Sequence, residues 1–108
     1  MISRVLVTGI GMVTPLGVDT ASTWNSLVNG VSGADYISAF DPEGLETRFA
    51  AEAKSFNPVD YLDKKKARHL DRFAQFAMVA TQEALWQSEL SLERMDPTRV
   101  AVIVGSGI

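Results

Sequence analysis

The chain has 108 residues, 46% of them hydrophobic and 21% charged, with a formal net charge of −3. This is ordinary globular composition, too apolar for a disordered chain, and its slight acidity gives no support for nucleic-acid binding by the chain as a whole. There is no cysteine, which removes disulfides and thiolate metal sites and makes a cytoplasmic location the expectation; no apolar run reaches the length of a signal-peptide core or a membrane span.

Residues 4–8, "RVLVT", are apolar and β-branched without polar alternation, and this predicts a strand covered on both faces. A turn at Thr14-Pro15-Leu16-Gly17 follows. "DTASTWNSLVNG" then predicts a short helix capped by Asp19 or Thr20, with Trp24, Leu27 and Val28 on one face and Gly30 as its stop. Residues 30–47 are rich in Gly, Asp and Ser and read as loop, with an extended piece near Tyr36 and Ile37. Alternation in "RFAAEA" predicts a modest edge strand with one exposed face. In "FNPVDYL" Asn57 caps a brief helical turn with Pro58 at its first position.

Asp63 next caps a long helix whose apolar stripe is Leu70, Phe73, Ala77, Ala80 and Ala84, widened by Phe76 and Leu85. The small residues of the stripe predict close approach to another helix or a sheet. After a polar loop broken by Pro97, Val100 to Val104 read as a second interior strand. Two such strands need partners on both edges, and few apolar elements are present to supply them. The 108 residues therefore read as the beginning of a larger α/β domain, with an independently stable small domain as the alternative.

Three motifs invite chemistry and fail on spacing. Gly9-Ile10-Gly11 after an apolar strand suggests a dinucleotide site. Thr14 stands where the third glycine belongs, a proline follows, and the helix is delayed to about residue 20. The glycines read instead as a turn that lets backbone pack closely. Ser106 has Val104, not glycine, two positions before it, so no nucleophile elbow is formed. A single histidine, His69, and scattered carboxylates supply no metal ligand set. The pairs Asp60/Asp63 and Glu93/Asp96 read as caps and solvated loop residues.

The basic run is the one charged feature of note. Lys64, Lys65, Lys66, Arg68 and Arg72 fall within nine positions of an otherwise acidic chain. On one continuous helix Lys64, Arg68 and Arg72 would stack at steps of four, with Lys65 and His69 alongside. Either this is a solvated face partly neutralised by Asp60, Asp63 and Asp71, or it is a landing patch for an acidic protein or a phosphate-bearing ligand.

"VLVTGIGMVTPLG", "TWNSLVNG", "FDPEGLETRFAAE", "FNPVDYLDKKKARHLDRFAQFAMVATQEAL" and "VAVIVGSGI", in this order and spacing, resemble the N-terminal part of the 3-oxoacyl-acyl-carrier-protein synthases. Within that condensing-enzyme family the resemblance is closest to type II. It implies that residues 1–108 are the N-terminal part of a thiolase-like, layered αβαβα fold and that the intact enzyme is a homodimer without a cofactor. The implied reaction transfers an acyl chain from acyl carrier protein to an enzyme cysteine, decarboxylates malonyl-carrier protein, and condenses the two. None of the implied catalytic positions, one cysteine and two histidines, falls in this chain, so the segment alone is expected to be inactive.

Two further roles are implied residue by residue. Lys65 and Arg68, with Lys64 and Arg72 close by, match the family's docking site for the acidic carrier protein, whereas His69 stands where lysine or arginine is common. Ile108 matches a residue beside the acyl pocket. Two rival readings stand beside this one: a non-catalytic binding module with a basic helix, and a chain-length-factor-like subunit that lacks the cysteine but pairs with an active synthase.

Overall fold

The computed structural model describes residues 2–107. Helix α1 spans Thr20–Val28, opened by a reciprocal cap in which the Ser22 amide donates to Asp19 Oδ1 at 2.6 Å and the Asp19 amide donates to Ser22 Oγ. Ser22 thereby holds the Asp19 carboxyl below its ordinary range. Gly30, at φ +68°, turns the chain out of the helix, a conformation that costs any residue with a Cβ. Trp24, Leu27 and Val28 lie exposed, and the buried member of α1 is Thr23. The helix is held inward by hydroxyls rather than by an apolar stripe. Thr14 Oγ1 and Thr23 Oγ1 are 3.0 Å apart, and Ser26 Oγ donates to the Leu16 carbonyl.

Strands β1 (Ala34–Tyr36) and β2 (Phe49–Ala51) form an antiparallel pair in which Asp35 faces Ala50. This matches the extended piece near Tyr36 and the modest strand expected around Phe49. A 3-10 turn at Pro58–Asp60 follows Asn57. Helix α2, Lys64–His69, and helix α3, Arg72–Ser88, come next.

The single long helix expected from Asp63 onward is thus two helices. Leu70 and Asp71 both have extended backbone, with ψ of 134° and 159°. The break is sealed by Gln75, a buried side chain whose Nε2 donates to the carbonyls of Ala67 at 2.8 Å and Leu70 at 3.1 Å. Those are end-of-helix carbonyls with no partner in α2 itself.

The core is small: Phe56, Leu62, Ala67 and Val79, with Val13, Val18, Ala53, Leu70 and Phe76 packed against it. Phe73, placed in the apolar stripe by sequence, is 54% exposed. Ala80 and Ala84 do serve close packing. A Cβ on Gly11 would overlap the Ala80 carbonyl, and one on Gly9 would overlap the Ala84 carbonyl. Residues 9–12 therefore run directly against α3, fastened there by the Ile10 amide donating to Gln87 Oε1 and the Met12 amide to Glu83 Oε2. Glu83 also accepts from the Thr20 amide at 2.9 Å and so ties the turn to the start of α1.

Residues 4–8 and 100–104, expected as interior strands, carry no strand among the described residues. They are exposed, with Val5 and Ile103 above 90%. A ladder requires a neighbouring edge, and among the described residues neither segment is paired with one. Accordingly the radius of gyration is 17.1 Å, against about 13 Å for a compact chain of this size. The described residues contain one two-stranded sheet; the layered αβαβα fold was expected of the intact enzyme, with this chain as its N-terminal part.

Candidate functional site

Helix α2 carries the basic run. It is short, and its formation rests on both ends. At its start Asp63 Oδ1 accepts from the amides of Lys65 at 2.9 Å and Lys66 at 3.1 Å; at its end Lys66, Arg68 and His69 occupy the last turn, where cations offset the helix dipole. Ala67 is the one buried member, anchoring α2 to the core while the remaining side chains face outward.

Lys64, Lys65, Lys66, Arg68 and His69 are all exposed. Lys64 and Arg68 are one turn apart, as are Lys65 and His69, so the two pairs make adjoining rows. Both ion pairs found among the described residues belong to Lys54, with Asp35 at 3.0 Å and with Glu52 at 3.8 Å. Of the three acids expected to neutralise the run, Asp63 caps α2, Asp60 accepts from Asn57 Nδ2, and Asp71 makes neither a cap bond nor an ion pair, so none is paired with a cation of α2 among the described residues. The basic face therefore presents its charge to solvent.

Arg72 stands apart. It opens α3 rather than continuing α2, so the expected stack of Lys64, Arg68 and Arg72 is not formed. Its guanidinium lies 4.9 Å from the ring centroids of both Phe56 and Phe76 and donates to the carbonyls of Ala53 and Phe56. This fastens the segment after β2 to α3. Beside it a cavity of ≈ 350 Å³ is lined in part by Ser38, Glu52, Lys54 and Arg72. Glu52 is held by the amides of Ser38 and Ala39 and by Ser38 Oγ, and these donors keep its carboxyl below the usual range.

Sequence reasoning missed Gln75, Glu83 and Gln87, the polar α3 side chains that satisfy backbone at the turn and the helix break. Their spacing of four along α3 was a signal available for Glu83 and Gln87. The amides of Ile10 and Met12, which a phosphate at the glycine turn would need, donate to these side chains instead. Among the described residues no group of three or more His, Cys, Asp or Glu is placed to hold a metal ion, and no helix is long and apolar enough to cross a membrane. Ile108 lies outside the described residues.

The family model described as beta-ketoacyl synthase, N-terminal domain, matches residues 3–108. A 3-oxoacyl-(acyl-carrier-protein) synthase 2 of Staphylococcus aureus (strain COL) is 42% identical over 105 residues, covering 97% of this chain and 25% of that protein. The protein of the same name from Synechocystis sp. is 36% identical over the same coverage. Among solved structures, the ishigamide ketosynthase/chain length factor superposes with a TM-score of 0.71 at 28% identity, over 81% of this chain and 22% of that one. The chain spans about a quarter of the length of the curated relatives it matches.

Proposed function

The chain belongs to the beta-ketoacyl synthase N-terminal domain family, and on that premise we propose that it serves as the N-terminal part of a carrier-protein-dependent condensing enzyme of fatty-acid synthesis. The observation that carries this reading is the match over nearly the whole chain to proteins named 3-oxoacyl-(acyl-carrier-protein) synthase 2. In the proposed reaction a cysteine thiolate attacks the acyl thioester and releases the carrier thiol. The malonyl thioester then loses CO2, and its carbanion attacks the acyl-enzyme, returning the cysteine thiolate and leaving a 3-oxoacyl chain on the second carrier. With no cysteine among its 108 residues, this segment does not supply the nucleophile.

What it supplies in this proposal is the landing surface. Lys64, Lys65, Arg68 and His69 on α2 attract the acidic carrier protein and fix its orientation, chiefly by raising encounter rate. Arg72, engaged between two rings, contributes scaffold instead. Ile108 beside the acyl pocket, a layered αβαβα homodimer and a cytoplasmic location belong to the same proposal.

Assay of the full-length protein with acyl- and malonyl-loaded carrier tests it, with CO2 release matched by 3-oxoacyl product as the expected result. The relation to a ketosynthase/chain length factor structure favours one second reading, a non-catalytic subunit that pairs with an active synthase. Carrier binding without product in the isolated protein, with product restored by a cysteine-bearing partner, would select that reading.

A further inference from the structure

Where α2 breaks away from α3, a groove of ≈ 400 Å³ opens between them, lined by Asp63, Lys65, Lys66, His69, Leu70 and Met78. Its floor and its rim differ in chemistry. Leu70, thrown inward by the extended backbone of the break, packs on the core from one side and closes the groove from the other. Met78, on α3, is 37% exposed, and its unbranched thioether can mould to more than one apolar occupant. Around them the ammonium groups of Lys65 and Lys66, with the His69 ring, form the rim beside the single Asp63 carboxylate, which accepts from the amides of Lys65 and Lys66.

We propose that this groove seats an apolar side chain projecting from the acidic surface of the carrier protein, so that one partner is held by charge at the rim and by burial at the floor. The inference rests on the docking role of α2. Charge complementarity selects the occupant, since the cationic rim borders the apolar floor directly and an acidic protein bearing one protruding aliphatic residue satisfies both. An apolar anchor ringed by polar contacts is also the arrangement that concentrates binding energy in few residues.

The test measures affinity of the full-length protein for acyl carrier protein from about 50 to 300 mM salt. Met78→Gln should weaken binding by about three- to tenfold at every salt concentration, leave the salt slope unchanged, and be rescued by Met78→Leu. Arg68→Glu should weaken binding and flatten the slope. Unchanged affinity in Met78→Gln beside a weakened Arg68→Glu would overturn the groove and leave the docking role standing; unchanged affinity in both would overturn the two together. Independently of any folding defect, the Met78 methyl resonance of the wild-type protein, assigned by its loss in Met78→Leu, should shift on carrier addition and saturate with binding. A resonance that does not move, as when another segment of the full-length protein or a bound lipid fills the groove, would overturn the proposal.

Discussion

The guanidinium of Arg72 is stacked 4.9 Å from the ring of Phe56 and donates at 3.2 Å to the carbonyl of the same residue. One side chain thus grips both the ring and the backbone of a residue in the core. Arg72→Ala in the full chain should lower stability by about 1–3 kcal/mol through the lost cation–π contact and the unpaired carbonyl. The urea midpoint measures this. The salt slope of carrier binding should stay as in the wild type, whereas a change in slope with unchanged stability would return Arg72 to the docking face.

Gly11 and Gly30 separate two reasons for glycine. At Gly11 the obstacle is the Ala80 carbonyl; at Gly30, where a Cβ would meet no atom within 4 Å, it is only the positive φ. Gly30→Ala should cost about 1–2 kcal/mol from backbone strain. Gly11→Ala must displace the 9–12 segment from α3, breaking the Met12 amide bond to Glu83 as well, and should cost about 2–4 kcal/mol. Denaturant titration of the two variants orders them, and equal losses would contradict the close packing.

Glu52 gives the fold an acid limit. Its carboxyl lies below the usual range chiefly because the Ser38 and Ala39 amides donate to it. A depressed folded value means that the contribution is complete above the unfolded glutamate value, about pH 4.3, and is lost as pH falls through the lower folded value. Glu52→Gln should therefore reduce stability at neutral pH and make acid unfolding less steep below about pH 4. Thermal midpoints recorded from neutral to acid pH check both parts.

Local elements were legible in the sequence where a cap or a glycine announced them. Asp19 starts the helix expected of it and Gly30 turns the chain out of α1, whereas Asn57 precedes its 3-10 turn without a side-chain cap bond and Asp63 caps six residues where one long helix was expected. The α2–α3 break was hidden because apolar periodicity continued through Leu70 and Phe73, while the feature that stabilises it, Gln75 reaching back to Ala67, depends on tertiary geometry. Asp71 was the available hint. For residues 4–8 and 100–104 the pattern reported burial on both faces, a property that the described residues alone cannot provide. The basic face of α2 was readable as charge density, but the seat of Arg72 at the start of α3, against Phe56 and Phe76, required the positions of those rings.

The central claim, that the cations of α2 dock an acidic carrier protein, is tested most directly by the affinity of full-length Arg68→Glu for acyl carrier protein as a function of salt. Arg68 is exposed, and no ion pair to it is found among the described residues, so its reversal should leave the fold intact. The account predicts weaker binding at low salt and a shallower salt dependence, converging on the wild type as screening removes the difference. Wild-type affinity at low salt would contradict it.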